Sequence, residues 1–219
     1  MRRARRWFAT LLLLVAIAVV ILLFQMRPPE WWTPEDSLSP ERTQLSERFE
    51  QASVSELHRV RTTSRPWAVR VRESEVNAWL DARLPLWLEH IGAEPLGDVR
   101  VHFLPGAVEI GVTLEDVPGV AVITLRPEVT QDTLRPGLGP LRIGRLPVPF
   151  ATDAAIGGML AALDNADASE EVKALLPLLR SRDVPSKFEL MDGRIVRLRD
   201  LEMREGELIL EFETLPRRK

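Results

Sequence analysis

Apolar and polar residues follow three different patterns along the chain, and the first is an uninterrupted apolar run. Over residues 7–24 there is no charged residue, and 13 of the 18 positions are Leu, Ile, Val or Phe. An α-helix of that length rises about 27 Å, close to the hydrocarbon thickness of a bilayer. Its insertion is favourable by on the order of 4 to 8 kcal/mol. The run therefore predicts a transmembrane helix over residues 7–26.

The charges that flank the run predict its orientation. Four arginines precede it, whereas Arg27 alone follows it before the first acidic residues. The positive-inside rule places the N-terminus in the cytoplasm and the rest of the chain outside, in a single pass through a bacterial cytoplasmic (inner) membrane. No small residue follows the run where a signal peptide would be cleaved, so we expect an uncleaved signal-anchor. The anchor residues are Arg2, Arg3, Arg5, Arg6, Trp7 and Phe24.

Proline dominates the segment after the run. Residues 27–38 contain three prolines, which disfavour a helix and predict a short, stiff spacer between a basic tail over 1–6, the membrane segment and a domain over 39–219. Trp31 and Trp32 fit either of two environments. One is the outer membrane interface, where indoles accumulate, and the other is a first hydrophobic contact with the domain.

The second pattern is helical periodicity. Ser39 followed by proline reads as an N-cap, and apolar residues then recur every three or four positions. After an alternating strand over 65–72, a second helix begins near Ser74, and Pro85 should kink or split it. We assign two structural roles on this helix: Leu80 in the middle of its apolar stripe, and Asn77 at the border, where its amide should brace a strand rather than recognise a ligand. The stripe comprises Val76, Leu80, Leu84, Trp87 or Leu88, and Ile91.

The third pattern is alternation with a period of two, which predicts strands. It covers residues 99–125 as a meander and returns over 188–213, with two helical stretches over 153–163 and 169–180 between them. Helices and strand runs are segregated along the chain. We therefore predict an α+β fold class, in which an N-terminal transmembrane helix is followed by one domain of curved antiparallel sheet with packed helices.

Composition excludes several classes of function. Beyond residue 27 the chain has 24 basic and 32 acidic residues, a net charge of −8 that argues against a nucleic-acid partner. There is no cysteine, and no catalytic or phosphate-binding motif occurs. His58, His90 and His102 lack the spacing of metal ligands. We therefore expect no metal, no cofactor and no enzymatic activity.

An aromatic stripe carries the ligand hypothesis. Trp67 lies on the predicted strand, and the second helix carries further indoles and leucines, so a large apolar area is concentrated there. This area either packs as a closed core or leaves an open groove for an acyl chain. An anionic head on that chain would remain in solvent or meet local arginines such as Arg70, Arg72 and Arg83. The hypothetical ligand-binding residues are Trp67, Trp79, Leu84, Trp87 and Leu88.

The order of these elements resembles a known family. A strand that leads into Glu73-Ser-Glu-Val-Asn-Ala-Trp-Leu80, a strand meander, and Gly144-Arg-Leu-Pro-Val-Pro149 before a helix are similar to the YpmS-like family of bacterial single-pass membrane proteins. That resemblance implies an extracytoplasmic, TULIP-like domain and transfers no catalytic residues.

Three functions follow as hypotheses. The first is a membrane-anchored, non-enzymatic module that binds a lipid, an acyl chain or another hydrophobic ligand. The alternative is a scaffold subunit of a cell-envelope complex, which requires an exposed apolar patch and envelope proteins as partners. An enzyme acting on envelope substrates is the third, and it would require a polar cleft with converging titratable residues.

Overall fold

In the computed structural model, the residues described are 24–33, 39–59, 61, 65–90, 97–114, 117–148, 183–190 and 192–216. They contain two helices, α1 (Pro40–His58) and α2 (Glu73–His90). The strands are β1 (Pro66–Arg72), β2 (Val99–Leu104), β3 (Ala107–Leu114), β4 (Val117–Leu125), β5 (Glu128–Val129), β6 (Thr133–Arg135), β7 (Arg142–Ile143), β8 (Leu146–Pro147), β9 (Val184–Pro185), β10 (Lys187–Glu189), β11 (Ile195–Arg204) and β12 (Glu207–Thr214).

The strands form three antiparallel sheets. A four-stranded sheet has the order β1-β12-β11-β10, a five-stranded sheet has the order β2-β3-β4-β7-β8, and a small third sheet has the order β5-β6-β9. The longest-range pairing joins β1 to β12, with Trp67 opposite Phe212 and Val71 opposite Leu208. This pairing brings the first strand of the domain onto its C-terminal hairpin.

The two larger sheets meet at the turns of their hairpins. The Gly106 N–H donates to the Met203 carbonyl at 3.2 Å, and the Gly206 N–H donates to the Phe103 carbonyl at 3.1 Å. Below these turns one core cluster combines residues of both sheets with apolar residues of both helices. Its buried members are Val71, Phe103, Val108 and Met203, and Phe49 and Val76 pack against them.

The helices begin where the sequence indicates. The Ser39 hydroxyl accepts a hydrogen bond from the Arg42 N–H and caps α1, and proline occupies the first helical position. The second helix follows β1 directly, and the Glu73 N–H donates to the Gly206 carbonyl at 3.0 Å. Pro85 lies inside a single continuous helix, so the predicted alternative of two separate helices is wrong.

Most of the elements predicted from periodicity are confirmed. The helix after Ser39, the strand over 65–72, the meander over 99–125 and the C-terminal hairpin all occur. The predicted helices over 153–163 and 169–180 lie outside the described residues, as do residues 7–23 of the predicted transmembrane helix. No helix within the described ranges is long and apolar enough to cross a membrane.

The predicted fold class, α+β with an N-terminal transmembrane helix followed by one domain of curved antiparallel sheet with packed helices, is wrong. The described residues are β-rich, with three separate sheets and two helices, and none of those helices has the character of a membrane span. Prolines lack the amide hydrogen that a ladder needs, and Pro127, Pro136 and Pro140 divide the chain after β4 into strands of two or three residues. Periodicity also gives no information about which distant strands pair.

Candidate ligand-binding site

Trp67 lies at the junction of the four-stranded sheet and α1. Its ring packs against Phe212 with 4.8 Å between centroids, and its Nε1–H donates to the Thr214 hydroxyl at 3.3 Å. The Arg61 guanidinium lies over the same ring, 3.8 Å from its centroid. Trp67 is also part of a buried cluster with Val196 and Leu198. The indole is therefore anchored by packing and by its own hydrogen bond.

A cavity opens beside Trp67, between α1 and β1, and we name it the α1–β1 cavity. Its volume is about 530 Å³, which lies within the range of small-molecule sites. Its wall combines apolar and charged side chains. The lining residues are Phe49, Ala52, Ser53, Glu56, Arg59, Arg61, Trp67, Ala68, Val69, Arg70 and Glu75.

Three arginines and two glutamates line this cavity. The Arg61 guanidinium donates to the Glu56 backbone carbonyl at 2.9 Å and also to the Glu56 carboxylate. Arg59 and Arg70 are largely exposed, and Arg70 pairs with Glu207 at 3.3 Å. Cationic side chains therefore outnumber anionic ones at a partly apolar opening, in a domain whose net charge is acidic. Such a lining suits an amphipathic anion with an apolar chain.

The structure separates Trp67 from the other members of the predicted ligand surface. Trp79 and Leu84 are half-buried on α2, and Leu88 is buried. None of these three lines the α1–β1 cavity. The side chain of Trp87 lies outside the described residues.

The three arginines proposed for an anionic head also separate. Arg70 lines the α1–β1 cavity, whereas Arg83 on α2 pairs with Glu50 of α1 at 3.1 Å. Arg72 is exposed at the end of β1 and does not line the cavity. One of the three is thus placed to meet a ligand beside Trp67.

The two residues with predicted structural roles both lie on α2. The Asn77 amide makes two hydrogen bonds with the Val101 backbone, donating to its carbonyl at 2.9 Å and accepting from its N–H at 2.8 Å. These bonds tie α2 to β2. Leu80 is half-buried, while Ala78 of the same helix is fully buried.

Sequence reasoning missed the contribution of α1 to the cavity. Phe49, Ala52, Ser53 and Glu56 all line it, and their spacing of three, four and seven residues places them on one helical face. That spacing was the available signal. Charged residues cover most of this helix and obscure that spacing in the sequence.

The segment that follows the apolar run is packed against the five-stranded sheet. Trp32 is buried with Val120 and Val122, and the Trp31 Nε1–H donates to the Glu109 carboxylate at 2.9 Å. The Arg145 N–H donates to the Gln25 carbonyl at 2.7 Å. Of the two environments that fit the tryptophans, the structure shows contact with the domain.

His102 is the one histidine whose side chain is described. Its ring stacks on Trp31 with 5.2 Å between centroids, and its Nδ1 lies 3.0 Å from a Glu73 carboxylate oxygen. Among the residues that the structure describes, no group of three or more His, Cys, Asp or Glu side chains is arranged to hold a metal ion.

Comparison with known proteins gives no family assignment. No family model, no curated protein and no solved structure matches this chain. The resemblance to the YpmS-like family accordingly stays a prediction from the sequence.

Proposed function

We propose that this chain is a membrane-anchored, extracytoplasmic and non-enzymatic module that binds an amphipathic ligand in the α1–β1 cavity. One observation carries the proposal: a cavity of about 530 Å³ in which Phe49, Trp67 and Val69 form an apolar wall beside three arginines. An acyl chain fits the apolar wall, and an anionic head fits Arg59 or Arg70 at the exposed side.

Residues 7–24 support the membrane part of the proposal, because an uncharged apolar run of that length partitions into a bilayer. A chain held at the bilayer has lipids at high local concentration. We propose holding of the ligand rather than its conversion, because two of the charged lining groups, Arg61 and Glu56, are bound to each other. A reporter that is active only outside the cytoplasm, fused after Lys219, should be active. A signal from a cytoplasmic reporter would contradict the orientation.

The cavity is tested by filling it from α1. Ala52 lines the cavity and Gln51 next to it does not, so Ala52→Phe and Gln51→Phe form a matched pair of substitutions on one helix. The full chain in phosphatidylcholine nanodiscs is titrated with a brominated fatty acid, and quenching of tryptophan fluorescence is recorded. If the new phenylalanine ring excludes two methylene groups of the fatty acid from the cavity, the binding free energy weakens by about 1.6 kcal/mol, which is roughly a tenfold loss of affinity.

We expect A52F to remove a saturable component of the quenching and Q51F to retain it, because Trp67 is the indole that lines the cavity. Quenching of Trp7 in the bilayer is common to both variants and cancels in the comparison. Identical titrations of the wild type, A52F and Q51F would contradict ligand binding in the α1–β1 cavity and favour the alternative function, a scaffold subunit.

A further inference from the structure

The α1–β1 cavity lies along the free edge of a β-strand. β1 is an outermost strand of the four-stranded sheet and pairs on one side only, with β12. Four consecutive residues of β1, from Trp67 to Arg70, line the cavity. Because successive side chains of a strand point to opposite faces of its sheet, a cavity that all four line lies at the edge of the strand rather than against one face. Helix α1 contributes the opposite wall.

Backbone hydrogen bonds at the end of β1 show which of its residues point to this edge. In an antiparallel ladder, alternate residues bond to the partner strand and the residues between them point away from it. The Glu73 N–H continues the pairing with the C-terminal hairpin by donating to the Gly206 carbonyl at 3.0 Å. The Arg72 N–H instead donates to the Glu75 carboxylate at 3.0 Å, outside the ladder. The even-numbered residues of β1 therefore direct their N–H and C=O groups away from β12.

This edge is closed at both ends and open in the middle. Pro66 has no N–H, and the Arg72 N–H is taken by Glu75. Proline and charged side chains are common protection for an exposed sheet edge. Between these ends, the N–H groups of Ala68 and Arg70 have no acceptor among the residues that the structure describes. Both residues line the cavity, so the unprotected part of the edge coincides with it.

The side chains around the open edge divide into an apolar row and a solvent-exposed row. Trp67 is buried and Val69 is half-buried, and Phe49 of α1 adds to the apolar wall of the cavity. Ala68 and Arg70 alternate with them and are exposed. A strand that paired with this edge would therefore place every second side chain against apolar groups and the others beside Arg70.

The charges at the edge favour acidic side chains in the exposed row. Both carboxylates of the cavity lining are engaged, because Glu56 accepts from Arg61 and Glu75 accepts from the backbone of β1. The Arg70 side chain is 63% exposed, and its ion pair with Glu207 at 3.3 Å is of the exposed, weak kind. Its guanidinium has five N–H donors, so it can bind a further carboxylate.

We propose that the edge of β1 binds an extended segment of a partner protein, which alternates apolar with acidic residues and adds to the sheet as a further antiparallel strand. The backbone of the segment pairs with Ala68 and Arg70, and its apolar side chains contact Trp67 and Val69. Its acidic side chains lie beside Arg70. A second copy of β1 fits less well, because antiparallel pairing of two such edges brings the arginines at 70 and 72 of both copies onto one face.

Binding of a strand is a function beyond the ligand binding proposed above. A strand and an acyl chain exclude each other from one cavity, so the partner segment displaces the ligand. The two differ in what they require, since a strand needs the N–H groups of β1 and an acyl chain needs only apolar space. Removal of one backbone donor therefore separates them.

The experiment removes this donor at Ala68. Ala68→Pro takes away the outward N–H without changing the ladder to β12, and proline is tolerated where the N–H of an edge strand faces solvent. Ala68→Val keeps the N–H and is the matched control. The full chain in phosphatidylcholine nanodiscs is titrated with a labelled synthetic peptide that alternates valine and glutamate and has blocked ends. Fluorescence anisotropy measures its affinity, and hydrogen exchange measures the protection of the β1 amides.

A second peptide keeps the test valid if A68P does not fold. The amides of its glutamates are N-methylated, so it has the same side chains and charge as the first peptide. In an antiparallel pair, the residues opposite Ala68 and Arg70 share their face of the sheet and exchange both hydrogen bonds with them. Methylation therefore removes the donors that face β1. Attraction by charge alone acts equally on the two peptides.

We expect the unmodified peptide to slow exchange at the Ala68 and Arg70 amides of the wild type. A68P should bind it about tenfold more weakly than A68V, and the wild type should bind the methylated peptide at least about tenfold more weakly, as expected for lost hydrogen bonds. If the brominated fatty acid quenches none of these proteins, the acyl ligand is contradicted while the peptide comparison stands.

Three results would overturn the proposal: equal affinities of A68P and A68V, equal binding of the two peptides, or no added protection at Ala68 and Arg70. Protection of these amides that rises with the concentration of the chain, in the absence of peptide, would overturn it in favour of a second copy.

Discussion

Arg100 shows how a single residue departs from what its local pattern predicts. It alternates with Val99 and Val101 on β2, which placed it on the polar side of a strand, yet only 6% of the residue is exposed. Its burial follows from the packing of α1 and α2 beside β2, where Asp81 of α2 pairs both with Arg100 and with Arg42 of α1. A strand pattern contains no information about which face a helix will later cover.

The first prediction concerns the shared carboxylate. Asp81→Asn should lower the free energy of unfolding by about 3 to 5 kcal/mol, because it removes the buried carboxylate that pairs with both Arg42 and the buried Arg100. Glu50→Gln is the control, since it breaks the exposed pair with Arg83 and should cost about 0 to 1 kcal/mol. Denaturant unfolding of the full chain in nanodiscs, followed by tryptophan fluorescence, measures both. Equal losses in the two variants would contradict the burial of the carboxylate that Arg42 and Arg100 share.

At the scale of elements, the segment over 24–33 is fixed to the sheet by close backbone approach. A side chain at Gly111 on β3 would meet the Trp32 ring at 2.6 Å and the Trp31 ring at 2.9 Å. Gly144 has a φ of 59°, and a side chain there would meet the Arg27 carbonyl at 2.5 Å. The five-stranded sheet is therefore packed closely against the residues that follow the apolar run.

The second prediction tests this packing. Gly111→Ala should displace the two indoles from β3, because the added methyl group lies closer to Trp32 than van der Waals contact allows. Hydrogen exchange at two adjacent amides reports the result. The Arg145 N–H, bound to Gln25, should exchange faster, while the Gly144 N–H, bound to Val120 within the sheet, should keep its protection. Unchanged exchange at Arg145 would show that the segment is held by other contacts.

The third sheet is the element that periodicity missed, because two- and three-residue strands show no alternation. An ion pair joins its strand β6 to the residue before β9: Arg135 donates to both carboxylate oxygens of Asp183, at 3.0 and 3.2 Å. The hydrogen bond and then the charge of Arg135 lower the pKa of Asp183 below its ordinary value. This pairing stabilises the fold above the unfolded-state pKa, and the effect is lost as the pH falls through the folded-state pKa.

The third prediction follows from that pair. Arg135→Gln should raise the pKa of Asp183 toward its ordinary value, because the donor and the charge are both removed. Asp132 is the internal control: its pKa is lowered mainly by the hydrogen bond from Lys187, which R135Q leaves in place. Carboxyl chemical shifts followed by NMR across the acid range give both values. A low pKa of Asp183 in the variant would mean that β6 and β9 are not joined in this way.

At the scale of the whole molecule, periodicity predicted the longer helices and strands but did not predict how the strands pair into sheets. Helix α1, strands β1 to β4 and the C-terminal hairpin follow from local spacing and capping. The pairing of β1 with β12 and the division into three sheets depend on contacts far apart in sequence. Trp67 was identified as a candidate ligand residue, whereas the leucines and indoles predicted beside it on α2 are absent from the cavity wall, which comes mainly from α1 and β1.

The central claim is our proposal that a hydrophobic ligand occupies the α1–β1 cavity. Native mass spectrometry of the full chain, extracted from its own membranes in mild detergent, tests it most directly. We predict an adduct with the mass of one lipid or fatty acid on the wild type and on Q51F, and its loss in A52F, because Ala52 lines the cavity and Gln51 does not. Bare protein mass in all three, or an adduct that A52F retains, would contradict the claim.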